Sequence, residues 1–323
     1  HAYNGSEGVE PPYPVCSLRW GHARHHISTI DLAILSAYTY VVNSSAYEEG
    51  GEVCNAMQQT FSIGRVSAKI VHHQEYYKVG RIIATRFVQQ DEPLGTTVLA
   101  IKGSSTPYDF FVDATLWAMI SVFQAMSILV PILDQMPNWV FALVLYLFPH
   151  WHEREIFENI RDVHMKLTRL YPNDEFVLTG HSLGGGIAIA AGGRYSVPAI
   201  GFSGPGSHFS RWRFGTTLEK ANRNSVNVYP EYDTVPKFDR HDELVQFIQC
   251  KDSSVVKERG KDVPHRNPVV CHSIHTTLCE LWRACGDEKR RSFRNTCHDK
   301  VDPRNRGVYL TSGDDRRCWT DWR

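Results

Sequence analysis

The chain has 323 residues, 42% of them hydrophobic, which is enough for one large domain with a buried core. It carries 35 basic and 35 acidic side chains, so its formal net charge is zero, and this balance gives no support for nucleic acid as a partner. We find no internal repeat and no low-complexity linker, and we predict a single domain over residues 1–323.

The eight cysteines predict disulfide bonds and therefore an oxidising compartment. Two glycosylation sequons, at Asn4 and Asn43, agree with this prediction. No signal peptide is visible, and the chain begins without a methionine, as a processed or trimmed chain does. We expect no free thiol. The first candidate pairs are Cys16 with Cys54 and Cys250 with Cys271.

Residues 1–60 are predicted to form an irregular N-terminal arm followed by a helix over residues 29–42. Strands are predicted at residues 66–71, 81–88 and 96–101. The first two are expected to pair as an antiparallel hairpin. The third is apolar almost throughout, which is typical of a central strand, and it leads into Lys102-Gly103-Ser104.

Residues 114–150 form an unusually apolar stretch in which Asp134 is the one formal charge. A buried core helix is one interpretation of it. A membrane-spanning hairpin is another, but its second leg, residues 139–148, is shorter than the ~20 residues that a span needs. The large apolar side chains of this stretch include Trp117, Phe123, Trp139, Phe141 and Leu145.

A nucleophile elbow is predicted at residues 180–184, which read Gly-His-Ser-Leu-Gly. An amphipathic helix over residues 153–171 precedes it, and a short apolar strand, residues 176–178, leads into it. The turn is too tight for a Cβ two residues either side of Ser182, so glycine is needed at both positions. The helix that follows directs free backbone N–H groups towards an oxyanion beside Ser182.

Gly-His-Ser-Leu-Gly-Gly resembles the elbow of the class 3 lipases, the fungal-lipase-like α/β-hydrolases, and the resemblance spans roughly residues 98–272. It implies an α/β fold of the α/β-hydrolase type, with a mostly parallel central sheet flanked by helices and an apolar lid insertion at residues 114–150. Lys102-Gly103-Ser104 is similar to the family's Arg-Gly-Ser, which implies that Ser104 and the Leu183 backbone N–H form the oxyanion hole. The chemistry of such an enzyme requires no cofactor and no metal.

The acid and the base should follow Ser182 in the order Asp, His. Asp233 follows a predicted strand, residues 225–228, and its context Asp-Thr-Val-Pro resembles that of the family's acid. The competitors Asp239 and Asp242 lie in a charged run that we expect to be more exposed.

His272 is the preferred base, because it precedes a predicted helix over residues 273–285 and follows Cys271 in a pattern that resembles cysteine-rich vacuolar members of the family. His275 is the alternative base. His181 is not expected to reach Ser182, and we expect it to pack or hydrogen-bond beside the strand. The cysteines and histidines of residues 271–285 also allow a zinc site.

The resemblance implies a serine hydrolase that acts on lipid acyl esters, with triacylglycerol, phospholipid (phospholipase A) and diacylglycerol as open substrate classes. A non-catalytic hydrolase-fold protein that binds membranes is the alternative. The lid is expected to contact a membrane or lipid-droplet surface peripherally, because a single span would separate Ser104 from Ser182. The expected location is the secretory pathway, outside the cell or in a lysosomal or vacuolar lumen. Residues 287–323 are expected to form a peripheral, cysteine-containing C-terminal segment.

Overall fold

A computed structural model describes residues 13–41, 44–62, 65–76, 80–89, 93–103, 139–140, 143, 151–250, 255–258, 261–264, 268–291 and 297. Several sequence predictions fall outside these residues: both sequons, the oxyanion candidate Ser104, and the lid candidates Trp117, Phe123, Phe141 and Leu145.

A seven-stranded sheet organises the fold, and its strands lie side by side in the order in which they occur along the chain. They are β3 (Val66–Tyr76), β4 (Gly80–Gln89), β5 (Gly95–Ile101), β6 (Glu175–His181), β7 (Ala199–Phe202), β8 (Ser225–Pro230) and β9 (Leu244–Ile248). The pairs β3–β4 and β4–β5 are antiparallel, which confirms the predicted hairpin, and every pair from β5 to β9 is parallel.

Two small antiparallel pairs lie outside the main sheet: β1 (Arg19–Trp20) with β2 (Ile27–Ser28), and β10 (Val255–Glu258) with β11 (Lys261–Pro264). The described α-helices are α1 (Thr29–Tyr38), α2 (Glu52–Phe61), α3 (Trp151–Leu170), α4 (Leu183–Tyr195), α5 (Arg211–Phe214), α6 (Leu218–Asn224), α7 (Pro268–Cys271) and α8 (Ile274–Cys285). None of the helices among the described residues is long and apolar enough to cross a membrane.

Both faces of the central sheet are buried, and β5 shows how. Val98 and Ala100 point into a core that α1, α2 and α8 complete, whereas Leu99 and Ile101 point into a second core with α3 and α4. Successive side chains of a strand alternate between faces, so an almost wholly apolar strand requires helices on both sides. The observed architecture confirms the predicted α/β-hydrolase class. It also places the carboxyl ends of β5 to β8 at one edge of the sheet.

The beginning of α1 is tied to the far end of the chain. Ser28 caps the helix, its side chain accepting from the Asp31 backbone N–H while the Asp31 carboxylate accepts from the Ser28 N–H. The same buried carboxylate binds Lys289 and Arg291, each at 2.7 Å. The described part of the C-terminal segment therefore packs against the N-terminal helix.

Three disulfides join the described cysteines: Cys16–Cys285, Cys250–Cys271 and Cys279–Cys297. The predicted pair of Cys250 with Cys271 is confirmed. The predicted pair of Cys16 with Cys54 is wrong, because the turn that carries Cys16 packs against α8, and the partner there is Cys285. Cys54 is buried on the inner face of α2 and forms no disulfide with any cysteine that the structure describes. Cys318 lies outside the described residues, so the expectation of no free thiol stays a prediction.

Candidate active site

The turn from β6 to α4 holds Ser182 in a strained backbone conformation. Its φ of 58° and ψ of −133° lie in a region that residues other than glycine rarely adopt. A Cβ at Gly180 would lie 2.4 Å from the carbonyl oxygen of Gly184, and one at Gly184 would lie 2.2 Å from that of Ile101. The two glycines are therefore needed for the close approach of the backbones, as the sequence predicts.

Ser182, His272 and Asp233 form one hydrogen-bonded line. The hydroxyl oxygen of Ser182 lies 2.9 Å from Nε2 of His272. Nδ1 of the same ring lies 3.0 Å from both carboxylate oxygens of Asp233. Ser182 and Asp233 are buried, and the His272 side chain is 23% exposed. The structure thus brings together the three side chains that were singled out in the sequence, in the spacing that proton transfer requires.

The loop after β8 positions Asp233. One carboxylate oxygen accepts from the Val235 backbone N–H at 3.0 Å, which forms an Asx turn, and the backbone N–H of Asp233 donates to Pro230. The turn and the contact with His272 use the same carboxylate. The turn that holds Asp233 therefore leaves its carboxylate in contact with the base candidate.

His272 lies in the short connection between α7 and α8. Ser273 caps α8, with its hydroxyl accepting from the backbone N–H of His275. The imidazole of His275 instead lies against a disulfide sulfur, with Nε2 3.7 Å from Sγ of Cys279. Of the two histidines proposed as base from the sequence, His272 is the one that contacts Ser182.

His181, the residue before Ser182, binds the backbone of the base candidate. Its Nε2 lies 2.7 Å from the His272 carbonyl oxygen, and its Nδ1 lies 2.8 Å from the Tyr40 hydroxyl. Burial and the charge of His272 lower the pKa of His181 to about 3, while the bond to the carbonyl acts in the opposite direction. The sequence predicted a hydrogen-bonded His181 but not Tyr40, which lies near the end of α1 without a distinguishing local pattern.

The family profile described as "Lipase (class 3)" matches residues 98–242. These residues carry the oxyanion strand, the elbow and the acid candidate. Over these residues the chain is similar to the class 3 lipases. His272 lies beyond the matched segment, so its place in the site comes from the geometry alone.

The curated relatives that match this chain are longer, and the match covers only part of each. A protein of Yarrowia lipolytica named "Putative lipase ATG15" is 25% identical over 150 residues, which cover 41% of this chain and 26% of the relative. A protein of the same name from Meyerozyma guilliermondii is 30% identical over 163 residues, covering 44% of this chain and 28% of the relative. The matched part is thus only about a quarter of the length of each of these two relatives.

Among solved structures, the Lip2 lipase of Yarrowia lipolytica aligns with a TM-score of 0.43 at 13% identity, over 79% of this chain and 91% of that chain. The mono- and diacylglycerol lipase of Aspergillus oryzae aligns with a TM-score of 0.43 at 14% identity, over 80% and 98% of the two chains.

The loop that leads to the oxyanion candidate Ser104 is described up to Gly103. A Cβ at Gly103 would lie 2.4 Å from the His181 carbonyl oxygen and 3.1 Å from Cβ of Ser182, so this loop runs directly along the elbow. Leu183 is the first residue of α4, and its backbone N–H therefore has no acceptor within the helix. Ser104, the second predicted donor, follows Gly103 and lies outside the described residues.

The two competing acids are buried, so the expectation that they lie in a more exposed run is wrong. Asp239 accepts from the backbone N–H groups of Phe209 and Ser210, and burial raises its pKa to about 6. Asp242 lies 2.5 Å from Nδ1 of His208. Burial does not distinguish Asp233 from Asp239 and Asp242, because all three are buried. Their hydrogen-bond partners do distinguish them, since Asp233 is the one of the three that contacts His272.

A zinc site at residues 271–285 conflicts with the disulfides. Cys271, Cys279 and Cys285 are each oxidised, and a disulfide sulfur is not the thiolate ligand that zinc binds. Within the described part of the chain no three histidine, cysteine or acidic side chains cluster as a metal site.

Proposed function

We propose that this chain hydrolyses acyl esters of lipids, with Ser182 as nucleophile, His272 as general base and Asp233 as the acid that orients the base. The observation that carries the proposal is the line from the Ser182 hydroxyl through both nitrogens of His272 to Asp233, at an elbow within a class 3 lipase domain.

The geometry supports a two-step acyl transfer. The Ser182 oxygen attacks the ester carbonyl while Nε2 of His272 takes the hydroxyl proton, and the same nitrogen then gives it to the departing alcohol. Water attacks the acyl-enzyme, His272 again moving its proton, and the fatty acid leaves with Ser182 regenerated. The Asp233 carboxylate accepts a hydrogen bond from Nδ1–H of His272 throughout and stays ionised, which keeps Nε2 directed at Ser182 and stabilises the imidazolium.

The oxyanion of each tetrahedral intermediate is proposed to bind the Leu183 N–H and Ser104. The free N–H groups at the beginning of α4 favour negative charge beside Ser182. Two donors from separate loops suit acyl transfer, because the charge of the intermediate develops on a single oxygen.

A lipid substrate is supported by exposed apolar side chains in the stretch that we propose as a lid. Residues 139, 140 and 143 are helical, and Trp139 is 59% exposed and Leu143 41% exposed. Their spacing of four residues is the one at which two side chains share a face of a helix. We propose that this face, with Trp117, Phe123, Phe141 and Leu145, contacts a membrane or lipid-droplet surface.

The three disulfides fit an oxidising compartment. We propose that the chain acts in the secretory pathway, outside the cell or in a lysosomal or vacuolar lumen. Triacylglycerol is the first substrate class to test. Diacylglycerol and phospholipid, cleaved by the same chemistry, are the alternatives.

Covalent labelling with a fluorophosphonate tests the proposal without choosing a lipid. We expect the wild-type chain to be labelled at Ser182, and the Ser182→Ala variant to be folded but unlabelled, with a loss of hydrolysis on the order of 10⁶. A panel of triacylglycerol, diacylglycerol and phospholipid, each in mixed micelles, then assigns the lipid class. A folded wild-type chain that is not labelled would identify a non-catalytic, membrane-binding protein instead.

A further inference from the structure

We infer that His181 and Tyr40 form a positioning pair that holds the base His272 by its backbone. The inference rests on the proposed function, because it assigns a role within the same reaction. Neither residue contacts the substrate in this scheme.

The hydrogen bonds of His181 determine its tautomer. A carbonyl oxygen can only accept, so Nε2 of His181 carries the proton that it donates to the His272 carbonyl at 2.7 Å. In a neutral ring Nδ1 is then an acceptor, and the Tyr40 hydroxyl donates to it at 2.8 Å. Tyr40 thereby favours the one tautomer of His181 that can bind His272.

The neutral state of His181 matters for the reaction. Its ring centroid lies 5.0 Å from that of His272, which becomes an imidazolium during each proton transfer. A second positive charge at this distance, within a buried site, would oppose that step. The lowered pKa of His181, about 3, agrees with a ring that stays neutral beside the charged base.

Tyr40 also reaches the oxyanion loop. The Gly103 backbone donates to the Tyr40 oxygen, a bond that partly offsets the rise in the Tyr40 pKa caused by burial. A Cβ at Gly103 would lie 2.7 Å from that oxygen. The pair therefore joins the residue before Ser104, the residue before Ser182 and the base itself. The His181–Tyr40 pair thus links three loops that come from distant parts of the chain.

Loss of the pair should lower the rate of the chemical step rather than the affinity for substrate. Without the bond from His181, the backbone of His272 can move relative to Ser182, and a displacement near 1 Å can cost about 100-fold in rate. The effect should therefore appear in kcat, while KM for a short soluble ester changes little.

Three substitutions separate this role from simple packing. His181→Leu removes the donor. His181→Gln keeps an N–H near the Nε2 position and has no ring tautomer. Tyr40→Phe removes only the hydroxyl. His164→Leu, a change of a half-buried histidine of α3 that packs on Phe176, serves as the matched control.

The measurements are the rate of Ser182 labelling by a fluorophosphonate, kcat and KM on a short soluble ester, and the midpoint of thermal unfolding. We expect His181→Leu to label about 100-fold more slowly than wild type, and His181→Gln to recover most of that loss. Tyr40→Phe should slow labelling in the wild-type background but much less in the His181→Gln background, because glutamine has no tautomer to select. The slowing that remains in the second background reports the lost contact of Tyr40 with Gly103. His164→Leu should label at the wild-type rate.

Equal labelling rates for His181→Leu and wild type would overturn the inference, as would equal effects of Tyr40→Phe in the two backgrounds. If His181→Leu does not fold, the inference is tested by the effect of Tyr40→Phe on labelling in the wild-type background and in the His181→Gln background. If either outcome overturns the inference while the wild-type chain is labelled and Ser182→Ala is not, the proposed function still holds. An unlabelled wild-type chain would overturn both.

Discussion

Cys271 forms a disulfide with Cys250, and the next residue along the chain is His272. Cys250 lies just beyond β9, at the edge of the central sheet, and the bridge closes a segment with a sequence separation of 21 residues. The base candidate is therefore held next to a covalent link to the sheet that carries Ser182 and Asp233. This arrangement predicts that the bridge affects activity more than its contribution to stability alone would.

Replacing Cys250 and Cys271 together by serine should lower both stability and activity. Opening a loop of this size costs about 3 kcal/mol in the chain-entropy account. Replacing Cys279 and Cys297, whose sequence separation is 18, is the matched control and should cost a similar amount of stability. Ester hydrolysis, measured at a temperature where both variants are folded, should fall further in the first variant. Equal losses of activity in the two variants would remove the special role of the Cys250–Cys271 bridge.

Local patterns, together with the resemblance to the class 3 lipases, were sufficient to single out the three residues that meet. Ser182 is marked by the glycine spacing of the elbow, Asp233 by its place after a strand, and His272 by its place before a helix. Each of these patterns spans only a few residues around the residue that it marks. Tyr40 could not be found in this way, because its partner His181 lies 141 residues away and Tyr38 occurs in the same local context. Such a contact depends on the packing of α1 against β6.

The two histidines near the beginning of α8 offer a direct test of the base. His272→Ala should lose hydrolysis on the order of 10⁶, as a loss of the nucleophile does, because Ser182 then has no proton acceptor. His275→Ala should keep most of the activity, since its ring lies against Cys279 rather than Ser182. Fluorophosphonate labelling and ester hydrolysis both report the difference. The reverse pattern would move the base to His275.

The disulfides and the charged run after Asp233 show where sequence patterns fail. Cys16 pairs with Cys285, 269 residues away, and such a partner is set by tertiary packing rather than by spacing. Asp239, Asp242 and Glu243 belong to a run whose charge predicts exposure, yet all three are buried. Each finds a donor inside the fold, and no pattern of charge along the chain reveals those donors.

His241 predicts a pH dependence of stability. Its Nδ1 lies 2.5 Å from Glu243, and its Nε2 lies 2.7 Å from the Pro236 carbonyl, so both nitrogens face acceptors. The Asn227 amide and the stacked Tyr229 ring also face it, and Asp239 adds negative charge. Burial lowers the pKa of His241, but Glu243 outweighs this effect and the net pKa is raised.

A raised pKa stabilises the fold fully below about 6.5, the ordinary value for histidine, and this contribution is lost as the pH rises through the folded pKa. The loss is at most about 1.4 kcal/mol per pH unit for one group. His241→Gln should therefore reduce the free energy of unfolding more at pH 5.5 than at pH 9, as measured by urea denaturation. His164→Gln should show the opposite trend, because burial lowers the pKa of His164. A pH-independent effect of His241→Gln would show that its proton contributes nothing to stability.

Trp139 tests the proposed lid. Trp139 and Leu143 are both exposed, and burying each in a lipid phase is worth roughly 1.5–3 kcal/mol. Changing the ratio of open to closed lid from 1:99 to 99:1 needs about 5.5 kcal/mol, so a few such contacts are sufficient. We expect the activity of the wild-type chain to rise when substrate passes from monomers to micelles. Trp139→Asp should weaken liposome binding and lower this activation.

The same substitution should spare hydrolysis of a short soluble ester, since that substrate does not require an interface to receive the lid. Trp212→Asp, a change of another exposed tryptophan, is the control and should leave liposome binding unchanged. Liposome co-sedimentation and hydrolysis below and above the micelle concentration separate the two effects. If Trp139→Asp binds liposomes as well as the wild-type chain does, the lipid contact lies elsewhere on the protein. Loss of folding in Trp139→Asp would mean that Trp139 packs into the core, because a charge on an exposed lid face has no reason to unfold the domain.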